Sequence, residues 1–170
     1  MDSRPIPTPV RAGAALALSA VLFGFVLGGI FGFKEDAVKG RLEASGTAMV
    51  ATVYNGDVAA KDAVVAKSWE YLLRAHMHGG GIGAAALGAI AAIVLLTGMG
   101  TVARLSALSI GAGALLYAIF WMWAGFKAPG LGSTGAAKEA LSFIAVPGAG
   151  LALLGAAGSL FAVLFDRRAT

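Results

Sequence analysis

The chain has 170 residues, of which 58% are hydrophobic and 13% charged, with a formal net charge of +4. A soluble domain carries about 25% charged residues, so the composition points to a membrane protein. The absence of cysteine excludes disulfides, thiolate metal sites, iron–sulfur clusters and covalently attached c-type haem. The basic balance is explained by a membrane surface, and no nucleic-acid partner is expected.

Four uninterrupted apolar runs dominate the sequence: 12–33, 79–100, 105–126 and 140–165. Each approaches the roughly 20 residues that a helix needs to cross a bilayer of about 30 Å. None shows the period-two alternation of a transmembrane β-barrel. The expected fold is therefore all-α, a four-helix transmembrane bundle forming a single integral domain over 1–170. The spans are placed at about 12–33, 76–100, 105–126 and 140–165.

The segment MDSRPIPTPVRAG precedes the first run. That run is longer than the 7–15 apolar residues of a signal peptide, so a retained helix is expected. Gly24, Gly28 and Gly32 form two GxxxG steps on one face, which suits close helix–helix packing.

The connector after the first run has no proline and is rich in Ala, Val, Lys and Glu. Helix one is expected to continue outside the membrane to about Tyr54. A turn at Asn55-Gly56-Asp57 follows, with Asp57 as N-cap, and a second helix runs from about Val58 into span two. The result is an outer helical hairpin over 34–75. Its apolar residues Val58, Val64, Val65, Trp69, Leu72 and Leu73 serve self-packing or an outer-side partner.

Spans two and three are separated by a short loop and are expected to be antiparallel neighbours. Tyr117, Trp121 and Trp123 near the end of span three fit an interfacial aromatic belt. Ser133 or Thr134 is positioned to start helix four, and Pro147-Gly148 predicts a kink in it. No Asp, Glu, Lys or Arg lies deep in any span. That argues against a proton pump, voltage sensor or ion-coupled transporter acting alone, since those functions need such groups.

An even number of spans puts both termini on one side. That side carries Arg4, Arg11, Arg104, Arg167 and Arg168 against Asp2 and Asp166. More cations lie on the other side, but most sit in the long connector, which translocates irrespective of charge. Cytoplasmic termini in an inner (cytoplasmic) membrane are expected.

Both histidines lie in RAHMHGGGIGAAAL, 74–87. Residues two apart on a helix point about 200° away from each other, so His76 and His78 cannot chelate one ion together. The face of His76 continues through Gly79, Gly80 and Gly83 to Leu87, a smooth floor for either another helix or a flat ligand such as a porphyrin. The face of His78 carries Glu70 or Arg74 above it, and Glu70–Arg74 has the spacing of an i,i+4 ion pair. Arg74 would serve a propionate or a quinone oxygen. An imidazole at the His78 position could bond a quinone or move a proton. Copper held by a histidine with Met77 or Met122 is a further candidate. An interface without cofactor, the histidines bonding headgroups or neighbouring helices, is another.

The same stretch resembles the second transmembrane helix of the catalytic subunits of haem–copper oxidases and nitric oxide reductases. In that family a histidine near the outer end of this helix is an axial ligand of the low-spin haem b. The resemblance implies that role for His76. It covers about 14 of 170 residues, and no second histidine-bearing helix exists here to supply an opposite ligand or a copper site. A haem would then need a sulfur ligand such as Met122, or a histidine from another subunit.

The expectation is thus a small integral subunit of a respiratory or related electron-transfer complex. It would hold or border haem b or a quinone through His76, His78, Arg74, Gly79, Gly80 and Gly83, and would not be an enzyme on its own. Its partners would be lipid and other membrane subunits, or further copies of itself, met through the glycine faces. The alternatives are a cofactor-free assembly subunit and a copper-binding membrane protein.

Overall fold

A computed structural model describes residues 5–166. Among these, every regular element is a helix: α1 (Thr8–Thr47), α2 (Val58–Leu96), α3 (Thr101–Leu131), α4 (Thr134–Ala140) and α5 (Ser142–Phe165). Four of them, α1, α2, α3 and α5, are long and apolar enough to cross a membrane. Many bulky apolar side chains on these helices face outward, including Leu22, Phe25, Leu95, Leu105, Leu153 and Leu164. In water such a surface would drive aggregation; in hydrocarbon it carries no penalty.

The contacts fix the directions. Gly24 of α1 meets Gly80 of α2, and Ala17 meets Gly83, so these two helices are antiparallel. Leu72 of α2 lies on Gly125 of α3, while Tyr117, Gly113 and Ile110 of α3 meet Gly148, Ala152 and Gly155 of α5. Each successive spanning helix therefore reverses direction. The bundle is not a closed square. The helix α3 packs on α1, α2 and α5, whereas α1 and α5 make no contact with each other. It is also the most buried of the four, because small residues such as Ala107, Gly111, Gly113 and Ala114 line its faces.

Helix α1 is 40 residues long, about 60 Å at 1.5 Å per residue. It bends at Lys34 (φ −136°, ψ 27°), the first charged residue after the apolar run. Beyond the bend α1 and α2 continue side by side. The helix ends at Thr47, seven residues before the expected Tyr54. The chain then winds through turns in which Met49 accepts from the amides of Val53 and Tyr54. The reason is tertiary: Tyr54 must leave the helix for its hydroxyl to donate to the buried Pro129 carbonyl of α3 at 2.8 Å. Asn55 and Gly56 take positive φ (52° and 84°) to complete the turn. As expected, Asp57 caps α2, accepting from the Ala60 amide at 2.9 Å.

Helix α5 runs through Pro147 as a single helix, and the chain also breaks at Leu141, between α4 and α5. Pro147 falls in the second turn, where its missing amide leaves only the Phe143 carbonyl unbonded. Ser133 caps the short α4 by accepting from the Ala136 amide. The Glu70–Arg74 pair is absent: Glu70 pairs with Lys67 instead, and Arg74 lies over aromatic rings. At the opposite end of the bundle, Asp166 ties down the α2–α3 loop. Its side chain accepts from the Gly100 amide at 2.7 Å and its carbonyl from Gly98 at 3.1 Å. Asp2, Arg4, Arg167 and Arg168, which entered the orientation argument, lie outside the described residues.

Lys61 is 3% exposed. Its stem lies against Gly46 of α1, and its ammonium pairs with Asp62 and with Glu43 across the two helices. Hydrogen bonds to Asp62 and then Glu43 hold its pKa above the ordinary 10.5. Burial raises the Tyr54 phenol above its ordinary 10.0, partly offset by the nearby Lys61 charge. Both groups bind protons more tightly when folded. The stability they contribute is complete below those ordinary values and is lost as pH rises through the raised ones. Thermal unfolding at increasing alkalinity should therefore show a falling midpoint above pH 10. That fall should be smaller in Tyr54→Phe and Lys61→Met, and the tyrosinate absorbance missing in Tyr54→Phe should appear in the wild-type titration only above pH 10.

Candidate functional site

The two histidines do face different helices. His76 points to α1. Its Nδ1 lies 2.7 Å from the Gly24 carbonyl, and because a carbonyl only accepts, Nδ1–H donates and the Nε2 lone pair remains. The ring is seated on Gly28, where an added Cβ would come within 2.6 Å of His76 Cε1. Two glycines of the floor below, Gly79 and Gly83, are covered by α1, whereas a Cβ on Gly80 would meet open space. A Cβ on Gly24 would fall 2.5 Å from the Gly80 amide nitrogen, one on Gly79 2.9 Å from the Ala20 carbonyl oxygen, and one on Gly83 3.1 Å from that of Ala17. Real Cβ atoms do not come closer than about 3.0 Å to such neighbours.

Helix α1 therefore lies where a flat ligand was expected. The Gly79 and Gly83 part of that face is closed to a porphyrin, because the α1 backbone lies on it. Of the GxxxG glycines in α1, Gly24 and Gly28 serve this contact, whereas Gly32 faces open space.

His78 points to α3. Its Nδ1 donates to the Arg74 carbonyl at 2.7 Å, a bond within the helix that again leaves Nε2 as the lone-pair nitrogen. The ring meets Tyr117 edge-on, with centroids 5.2 Å apart, and Trp121 at 5.9 Å. One turn above, the Arg74 guanidinium lies 5.0 Å from the Trp121 ring and 5.3 Å from that of Tyr71. Such stacking favours a cation. Arg74 pairs with no carboxylate among the described residues.

Trp121 is the residue that the sequence misplaced. It is only 9% exposed, not a belt residue facing headgroups, and its indole Nε1 is shielded and without a hydrogen-bond partner. Of the three aromatics assigned to that belt, only Trp123 is exposed. A buried indole N–H is normally satisfied, and an orphan calls for an explanation such as a missing ligand. Arg74, His78, Tyr117 and Trp121 thus form one cluster at the α2–α3 contact. Two of its members, the guanidinium and the indole, can only donate; among the described residues the indole N–H has no hydrogen-bond partner and the guanidinium no ion pair.

The copper candidates are dispersed. Met77 is exposed, Met122 lines a groove with Arg41 and Lys127, and no group of three or more His, Cys, Asp or Glu side chains among the described residues is placed to hold a metal ion.

The cluster was only partly legible. Its histidine and arginine stood out as rare polar residues in an apolar run, but nothing in WMW distinguishes the buried indole from the exposed one. Comparison with protein-family models, curated proteins and solved structures finds no match to this chain.

Proposed function

We propose that this protein is a small integral subunit of a membrane electron-transfer assembly that borders a quinone at the Arg74–His78–Trp121 cluster. One observation carries the reading: the buried Trp121 indole N–H has no hydrogen-bond partner among the described residues, and the Arg74 guanidinium beside it forms no ion pair there. A quinone oxygen is an apolar molecule's hydrogen-bond acceptor, and it gains negative charge on reduction. Arg74 supplies positive charge to that oxygen, the Trp121 indole a further N–H. The lone-pair Nε2 of His78 is able to accept a hydrogen bond or a proton from a quinol hydroxyl. The lack of a second ligand helix argues for a subunit rather than a complete enzyme.

In this reading α1 and α2 beyond Lys34 form a hairpin standing outside the membrane. The helix lengths support it, since about 60 Å is twice the thickness of the hydrocarbon. The termini lie on the cytoplasmic face, and the hairpin meets the outer part of the partner.

A short-chain quinone analogue titrated into the purified protein should quench tryptophan fluorescence. Arg74→Gln should weaken binding by about ten- to a hundredfold, the loss expected for one charged hydrogen bond of about 1.5–3 kcal/mol. Trp121→Phe should remove most of the signal. Equal titrations in wild type and both variants would overturn the quinone site. A reduced-minus-oxidised spectrum with an α-band lost in His76→Ala would instead establish haem ligation at the Nε2 of His76, away from the glycine floor.

A cofactor-free assembly subunit is the second reading. It is favoured by the His76–Gly24 bond and the covered floor, which make His76 a helix-to-helix tie. A colourless, quinone-free preparation that still assembles with its partners would support it.

A further inference from the structure

A separate groove lies between α1 and α3, on a different set of residues from the histidine cluster. It is lined by Arg41, Met122, Trp123, Phe126 and Lys127 and has a volume of about 370 Å³. Its position is set by the sequence. Lys127 is the first charge after the apolar run of α3, and Arg41 lies two turns beyond the bend of α1 at Lys34. The groove therefore sits where the apolar surface gives way to the polar one. Its wall is apolar and joins the lipid-facing surface through Trp123, which is 43% exposed. Its rim is cationic: the Arg41 guanidinium lies 5.8 Å from the Phe126 ring, and both Arg41 and Lys127 are exposed. Among the described residues neither cation pairs with a carboxylate.

We propose that this groove binds an anionic phospholipid, its phosphate between Arg41 and Lys127 and its upper acyl segment against Met122, Trp123 and Phe126. Charge complementarity selects the occupant. Two unneutralised cations above an apolar wall match a molecule that carries phosphate and hydrocarbon within one headgroup length. A zwitterionic lipid brings its own cation to the same rim and loses the advantage. An amphipathic partner helix would need acidic residues at one end only, whereas the bilayer supplies the lipid at high local concentration. Each basic residue near an anionic surface contributes roughly a fivefold gain in binding, so the pair should give on the order of twentyfold.

The test uses the full chain in nanodiscs of mixed phosphatidylglycerol and phosphatidylcholine, followed by release and native mass spectrometry. Wild type should retain phosphatidylglycerol preferentially. Arg41→Gln with Lys127→Gln should abolish the preference, while Lys67→Gln, outside the groove, should keep it. If the double variant does not fold, each single variant should show a preference reduced about fivefold. Retention of both lipids alike by wild type, or an undiminished preference in the folded groove variants, would overturn the proposal. Either outcome would leave the groove to a protein partner.

Discussion

Gly111→Ala should unfold or severely loosen the bundle, although it adds one methyl group. At the α1–α3 crossing a Cβ on Gly111 would strike the Gly13 carbonyl, and a Cβ on Gly13 would strike that of Ala107, both well inside the 3.0 Å limit. Each obstacle is backbone, so no rotamer change relieves the clash and the two helices must separate. Overpacking costs typically about 1–3 kcal/mol where side chains can adjust, and the upper end or beyond is expected here. Gly81→Ala is the control, because nothing lies within 4 Å of its added methyl. It should be neutral, or stabilising by up to about 1 kcal/mol through helix propensity. Unfolding in mixed detergent micelles, followed by circular dichroism, measures both. Similar midpoints for the two variants would show that this crossing is not close-packed.

Leu72→Ala should have the second-largest effect. Leu72 is 0% exposed and rests on Gly125 of α3, on the same helix as Tyr71 and Arg74. Truncating it opens a cavity beside Tyr71 and Trp121. The cost should reach at least about 2 kcal/mol, within the range for buried leucines. Leu154→Ala is the comparison: Leu154 is 71% exposed on α5, where lipid replaces the lost contacts. The same detergent titration should barely register Leu154→Ala, and equal losses at the two sites would contradict the assigned core.

Spans and their succession were legible because hydrocarbon imposes length and polarity residue by residue. The division of His76 from His78 was legible too, since it needs only the pitch of a helix. What lay on the glycine floor was not. Gly79 and Gly83 suit a porphyrin and a helix backbone equally, and only the position of Gly24 decides between them. The GxxxG pattern drew attention to Gly24, Gly28 and Gly32, but the tightest contacts also use Gly13, Gly111, Gly113 and Gly155. Gly148 and Gly155, seven residues apart, share one face of α5, and this spacing was a readable sign of the α3–α5 seam. The burial of Lys61 and the Tyr54–Pro129 bond had no local signal, because each depends on a partner distant in sequence.

Asp166 carries a temporal consequence. Its two hydrogen bonds bridge the final span to the loop between α2 and α3, 66 residues earlier for the Gly100 contact. That loop holds Met99 at φ 57°, an unusual conformation for a side chain of its size. The Asp166 bonds to the loop cannot form until α5 has been made and inserted. During synthesis the first three spans must wait in the bilayer with that corner unlatched, and the arrival of α5 both completes the burial of α3 and closes the loop.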